Sequence, residues 1–299
     1  MKIFDCTTFF DENLMLEVRF NILNKYVEKF VITESKYSHS GEKKKLNFDI
    51  KKFSEFKNKI IYLVVENEPS DVIYKKTGDT IVEEKTDMRT NSIKRIAWQR
   101  NKLMECLNEA DDEDYIFYSD NDEIPNFENF NFENNKNKIL IFKQKLFYYK
   151  FNLFCDRVDW YGTKGCKKKD LLSFDWLREI KGKAYPFYRF DTFFSKTKYT
   201  DVKIIEDGGW HFSQLKSPKD IEIKLLNQEH HDEYRLAKEN LPKIEDLVKR
   251  KSIIYDHKAK SGDYKFSKEF KLKTLSIDQM PLFLKNNMNK YAEWFDFEK

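Results

Sequence analysis

Asp120 and Asp122 stand one residue apart, directly after Tyr115-Ile116-Phe117-Tyr118 and Ser119. The apolar and aromatic run reads as a buried strand, and in an open α/β sheet ligands bind just beyond the carboxyl ends of the strands. Two carboxylates separated only by Asn121 can converge on one hard divalent cation, because oxygen ligands suit Mg²⁺ and Mn²⁺. Such an ion would hold a diphosphate. The same residues also suit a polar turn that closes the strand ahead of Pro125, so the pattern by itself leaves both readings open.

Other groups with chemical potential flank this pair. Glu206-Asp207 precede adjacent glycines, Gly208 and Gly209, and Trp210-His211 follow. Paired glycines let a backbone turn sharply or approach a ligand closely. Asp156-Arg157-Val158-Asp159-Trp160-Tyr161-Gly162 mixes rings with carboxylates, which suits a sugar packed on an aromatic face and equally suits a hairpin with a packed tryptophan. In the helix expected over Asn91–Leu107, the residues Ile93, Ile96, Ala97, Met104 and Leu107 form an apolar stripe with Arg100 at its centre. Arg95, Gln99 and Lys102 are expected to point away. An inward arginine must meet an anion, because an unpaired buried charge is costly. That anion is either a structural carboxylate or a phosphate, which the guanidinium fork fits.

The elements that must position these groups alternate between strand and helix in the first half, which predicts a mainly parallel sheet. Strands are expected at residues 2–6, Val27–Thr33 and Ile60–Val65, with a helix over Asn13–Tyr26 and a short one near Phe53. Residues 66–90, with Pro69 and Gly78, read as a long functional loop. Beyond the acidic pair, Lys138–Lys150 and Tyr185–Ser195 alternate and predict an antiparallel or mixed portion of sheet. Ser217-Pro218 reads as the N-cap and first residue of a helix ending near Glu229-His230-His231, where histidines favour a helix C-terminus. Phe266–Trp294 reads as an amphipathic helical tail. No Walker A motif, dinucleotide glycine fingerprint or G-x-S-x-G elbow occurs, and the EF-hand pattern fails at Ile124 and Pro125.

A chain of 299 residues can bury a sizeable core as one large α/β domain or two small ones. Aromatic residues at 16% are too many for a disordered chain. The 55 basic and 51 acidic side chains nearly cancel, so no global field favours nucleic acid. Lysines cluster at Lys43–Lys45, Lys51–Lys52 and Lys167–Lys169, as solvated faces or as peripheral contacts to an anionic acceptor or membrane surface. Cys6, Cys106, Cys155 and Cys166 make no C-x-x-C pair, which reads as reduced thiols. No apolar run is long enough to span a bilayer, and the expected location is cytoplasmic.

Taken together, these segments resemble glycosyltransferase family 17, typified by the enzyme that adds the bisecting β-1,4-linked N-acetylglucosamine to N-glycans. The resemblance is carried by Phe4-Asp5-Cys6 through Phe9-Phe10-Asp11-Glu12, by Leu16-Glu17-Val18-Arg19, and by Phe30-Val31-Ile32-Thr33-Glu34-Ser35. It continues through Ala97-Trp98-Gln99-Arg100-Asn101, Ser119–Pro125, Trp160-Tyr161-Gly162-Thr163 and Gly208–Ser213, covering roughly residues 2–235. Asn121 departs from the alanine or valine that the family often places between the two aspartates, and the membrane anchor of the animal enzymes is not seen.

The resemblance implies a GT-A-like, Rossmann-like α/β catalytic domain over residues 1–262, with residues 263–299 as a helical extension packed on it. It implies transfer with inversion from a UDP-sugar, UDP-N-acetylglucosamine above all, to a glycan or glycolipid acceptor. Asp120, Asp122 and His211 are then the candidate ligands of Mn²⁺ or Mg²⁺. Asp122 is placed first, Asp120 lies partly on ribose, and a buried core histidine is the alternative for His211. Arg100, Asn101, Asp120 and Trp210 are candidates for binding the nucleotide sugar. Single displacement needs a base for the acceptor hydroxyl, assigned to Asp207 or Glu206, with Asp156 and Asp159 as alternatives. A non-catalytic nucleotide-sugar or glycan-binding protein and a nucleotide-sugar hydrolase are the competing functional readings.

Overall fold

The computed structural model describes residues 1–74, 81–128, 130–228, 231–259, 265–266 and 268–297. Strand and helix alternate first: β1 (Ile3–Phe9), α1 (Asn13–Leu23), β2 (Lys29–Ser35), β3 (Ile60–Val65), α2 (Ile81–Lys102) and β4 (Tyr115–Ser119). β1 lies between β2 and β4, β3 lies outside β2, and all these pairings are parallel. Successive side chains of β1 enter opposite layers. Ile3 and Phe9 pack with Leu16, Phe20 and Leu23 of α1, whereas Phe4 and Cys6 pack with Leu103 and Leu107 beyond α2. Strands covered on both faces must be apolar on both, which explains their near-continuous hydrophobic runs.

One ion pair interrupts that core. Arg19 of α1, fully buried, donates through Nε and Nη2 to the two carboxylate oxygens of Asp5 at 2.6 and 2.5 Å. Its Nη1 donates to the Glu123 carbonyl at 2.5 Å. A buried charge persists only when paired and hydrogen-bonded. This one ties β1 and α1 to the loop that follows β4.

The second half adds β5 (Glu123–Pro125), β6 (Ile139–Tyr148), β7 (Leu153–Phe154), β8 (Trp160–Lys167), α3 (Phe174–Glu179), β9 (Val202–Ile205), β10 (Gly209–Ser213) and α4 (Pro218–Asn227). β8 sits antiparallel between β4 and β6. β9 and β10 run parallel to β6, and β10 runs antiparallel to β5. The mixed character expected around Lys138–Lys150 is therefore present. Ser217 caps α4, its hydroxyl accepting from the Asp220 amide at 3.3 Å. α5 (His231–Ala237), α6 (Ile244–Lys249), β11 (Ser252–Ile253), β12 (Phe270–Lys271), β13 (Lys273–Thr274) and α7 (Leu282–Asn286) complete the order. The Cys6, Cys106, Cys155 and Cys166 thiols are buried and unpaired.

Four sequence expectations need correction. α2 begins at Ile81 rather than Asn91. Ion pairs rather than apolar periodicity hold this extension, since Arg89 pairs with Asp232 and Glu233 of α5 at 2.5 and 2.9 Å. Within α2 the buried face is Asn91, Ser92, Ile96 and Gln99, while Ile93, and Met104 in the turn beyond the helix, are exposed. Gln99 turns inward because its amide donates to the Thr33 carbonyl at 2.9 Å, a satisfied polar contact that hydropathy does not register. Tyr185–Ser195 is not a strand; it carries a short 3-10 turn over Phe190–Thr192, buries Tyr185 and exposes the five rings from Phe187 to Phe194. The tail forms β12, β13 and the short α7 in place of a long helix, because β13 pairs with β7 and Leu284, Tyr291 and Phe295 pack under α1. Glu229 and His230 lie outside the described residues.

Candidate functional site

β4 ends at Ser119, and the next turn presents Asp120 and Asp122 to a cavity of about 340 Å³. The cavity opens at the carboxyl ends of β1, β2 and β4, as an α/β sheet with this winding predicts. Glu123 fixes the turn from beneath. Its buried carboxylate accepts the Asp120 amide at 3.0 Å, Trp160 Nε1 at 2.7 Å and Arg178 Nη2 at 3.2 Å. Burial raises the Glu123 carboxyl above its ordinary range. Gly162 makes room for this arrangement, because a Cβ there would lie 2.0 Å from Gln144 Oε1 and 2.9 Å from the Glu123 carboxyl carbon.

Both aspartates of the turn are partly buried, and each meets cations. Asp120 takes Arg178 Nη2 at 2.7 Å and the Tyr118 hydroxyl at 3.0 Å, with Arg100 Nη2 at 3.7 Å. Burial opposes its charge, but Arg178 and then Arg100 outweigh that and hold the carboxyl at about 2. Asp122 faces Lys224 Nζ at 3.0 Å and His211 Nε2 at 3.4 Å. Burial again works against ionisation, and Lys224 followed by His211 keeps Asp122 well below the usual carboxylate range. Glu12 shares Lys224 at 3.5 Å and accepts the Asn121 amide at 3.1 Å. His39 and His257 also line the cavity, and burial, helped by Arg100 and by His211 respectively, pushes each imidazole down to about 4. Both are therefore uncharged near neutral pH.

β10 delivers His211. Its first residue, Gly209, has φ +123°, and a Cβ there would fall 2.2 Å from the Ile124 carbonyl oxygen. Gly209 thus serves backbone-to-backbone approach between β10 and β5, in register Trp210↔Ile124 and His211↔Glu123, while Gly208 packs against the Lys143 backbone of β6. Alternation along β10 then sends His211 into the cavity and Trp210 away from it. Trp210 Nε1 donates to the Gln279 carbonyl at 3.0 Å.

The structure thus brings Arg100, Asp120, Asp122 and His211 together and leaves other expected residues apart. Glu206 and Asp207 are exposed on the turn before β10, paired with Lys143 at 3.2 Å and Lys145 at 3.6 Å, and neither lines the cavity. A base must reach the acceptor hydroxyl, and neither carboxylate faces this cavity. Asp156 pairs with Lys273, and Asp159 pairs with Lys143 at 3.3 Å, both outside the cavity. Asn101 also stays outside, its side chain accepting the Asp175 amide at 3.0 Å and so docking α3 on α2. Arg178, Lys224, His39 and His257 escaped the sequence reading. Glu12 and Glu123 had a signal only as parts of the Phe9–Glu12 and Ser119–Pro125 stretches, with no role given to either.

The donor chemistry at Asp122 and His211 fits a divalent cation. One carboxylate oxygen and one imidazole nitrogen converge at 3.4 Å, and His211 Nδ1 is buried without a hydrogen-bond partner. Among the described residues no group of three or more His, Cys, Asp or Glu side chains forms a closed metal cage. Mg²⁺-type sites do not require one, because they rely on one or two carboxylates plus waters and substrate phosphates. Asp120, turned to Arg178 and Arg100, stands apart from that pair. Among the described residues no helix is long and apolar enough to cross a membrane.

Comparison with known proteins gives one family match. The model of the family described as Glycosyltransferase family 17 matches residues 1–171, more than half of the chain. This interval holds β1, α1, β4 and the Asp120–Asp122 turn, whereas Arg178, His211 and Lys224 lie beyond it. No curated protein matches. Among solved structures, the crystal structure of A197 from STIV is similar at 9% identity and a TM-score of 0.24, over 69% of this chain and 83% of that one.

Proposed function

The chain belongs to glycosyltransferase family 17, and from that footing we propose a metal-assisted, inverting transfer of N-acetylglucosamine from UDP-N-acetylglucosamine to a glycan or lipid-linked acceptor. Glycosyltransferase activity follows from the family, and the GT-A-like sheet with helices on both faces accords with it. The donor sugar, the metal and the acceptor class are our reading. The observation that carries it is the convergence of Arg100, Arg178 and Lys224 with Asp122 and His211 on one cavity.

Each residue then has a physical task. Arg100, Arg178 and Lys224 set positive charge where a diphosphate would lie, and partial burial strengthens that attraction relative to water. Asp122 and His211 would hold Mn²⁺ or Mg²⁺, which supplies charge neutralisation for the departing nucleoside diphosphate. Asp120, fixed by Arg178, sits at the lip where ribose hydroxyls can be accepted. The proton of the attacking hydroxyl goes to an uncharged base that lines the cavity, His39 or His257, in place of the exposed Asp207 and Glu206.

The test is UDP release from UDP-N-acetylglucosamine across a panel of glycan and lipid-linked acceptors, with Mn²⁺ and with chelator. Acceptor-dependent release that Asp122→Asn lowers by at least about a hundredfold supports the reading. Donor binding without release for any acceptor favours a binding protein, and release indifferent to every acceptor favours a hydrolase.

A further inference from the structure

Between α3 and β9 the chain holds a cluster of exposed rings. Phe187, Tyr188, Phe190, Phe193 and Phe194 are 84, 66, 78, 76 and 91% exposed. Five large aromatic side chains in eight residues is far from the scattered apolar exposure of an ordinary surface. The base of the segment is pinned: the Lys181 amide donates to the Thr197 carbonyl at 2.9 Å, and the Tyr185 amide to the Tyr199 carbonyl at 3.0 Å. Trp176 Nε1 adds a bond to the Lys196 carbonyl at 2.9 Å. The rings therefore stand at the tip of a closed loop.

Charge around the tip is net positive. Residues 181–200 contain Lys181, Lys183, Arg189, Lys196 and Lys198 against Asp191 alone. Lys183, Arg189 and Lys198 gather round the Tyr185 ring at 4.7, 5.7 and 5.9 Å. Asp191 engages Arg189 at 2.7 Å and Lys198 at 2.8 Å, which leaves Lys181, Lys183 and Lys196 as the positive excess of the segment. Aromatic side chains at the tip of a basic loop match a bilayer surface, where rings settle at headgroup depth and cations meet anionic headgroups. A protein groove would satisfy the rings but would not require a net positive rim.

We propose that the Phe187–Phe194 tip docks this enzyme on an anionic membrane surface. The segment leaves α3 directly after Arg178, a cavity residue, and Phe187 follows it by nine positions. Even a fully extended chain of that length spans only roughly 30 Å, so docking at the tip keeps the cavity within reach of the headgroup layer. This deepens the proposed function, since it selects the lipid-linked acceptor class over free glycans.

Sedimentation with vesicles of phosphatidylcholine, with and without phosphatidylglycerol, tests the docking separately from the chemistry. The full chain is expected to sediment with the anionic vesicles and far less with neutral ones. The quadruple variant Phe187→Ser, Phe190→Ser, Phe193→Ser, Phe194→Ser should lose at least about tenfold in partition. Lys183→Gln with Lys196→Gln should weaken it in a salt-dependent way. UDP binding should be unchanged in both variants, which shows that the fold and donor cavity are intact. Equal sedimentation of the wild type with or without anionic lipid, or of the Phe variant and the wild type, overturns the proposal. So does a wild-type oligomer that the Phe variant converts to monomer without any vesicle binding, which would assign the tip to a second copy of the chain. Vesicle docking without glycosyl transfer would sink the proposed reaction and leave the docking surface standing.

Discussion

Asp122 carries the largest share of the chemistry because it is the carboxylate on which His211 and Lys224 both converge. Asp122→Asn keeps its size and one hydrogen-bond acceptor while removing the charge, so the fold should persist as transfer is lost. Circular dichroism alongside UDP release would show this. Arg178 has a different profile. Its guanidinium neutralises both Asp120 and Glu123, and Arg178→Ala leaves the buried Glu123 and the partly buried Asp120 without that partner. Breaking a buried pair from one side costs about 3–5 kcal/mol, so this variant should lose stability in urea as well as donor affinity. A variant with unchanged urea midpoint would show that Asp120 and Glu123 find other counter-charges.

At the scale of elements, β10 decides whether the site assembles. Gly209→Ala places a methyl group against the Ile124 carbonyl in a backbone conformation that favours glycine. The cost should exceed about 1 kcal/mol, and His211 should move away from Asp122. Thermal unfolding together with Mn²⁺-dependent donor binding would report both effects, and wild-type values for both would refute the role given to this strand pairing. The parallel half of the sheet was legible because β1–β4 are apolar on both faces, and the turn after β4 was legible from Asp120 and Asp122 themselves. Arg178 and Lys224 were not, because a cation on a short helix looks like surface until the tertiary fold turns it inward. The same limit hid Gln99, whose burial depends on the Thr33 carbonyl across the layer. Conversely, the alternation in Tyr185–Ser195 mimicked a strand while its rings from Phe187 to Phe194 face solvent.

Across the whole molecule, three histidines shape the response to acid. His39, His231 and His257 are each held at about 4, chiefly by burial, against an ordinary 6.5. Between those values the unfolded chain binds protons that the folded chain does not, so stability is full above 6.5 and drains away as pH falls towards about 4. The carboxylates Asp120 and Glu12, held at about 2, add their own loss only at lower pH, below their ordinary range. The urea midpoint should therefore fall between about pH 7 and pH 5, before Asp120 and Glu12 protonate. A midpoint flat over that interval would mean that these imidazoles titrate normally in the fold.

The central claim is that one cavity holds a nucleoside diphosphate through fixed cations and through a divalent ion at Asp122 and His211. Calorimetric titration of UDP into the wild type and Asp122→Asn, with Mn²⁺ and with chelator, tests it most directly. The account predicts wild-type binding that tightens at least about tenfold with Mn²⁺, and loss of that gain in the variant. Equal UDP affinity in all four titrations would contradict it.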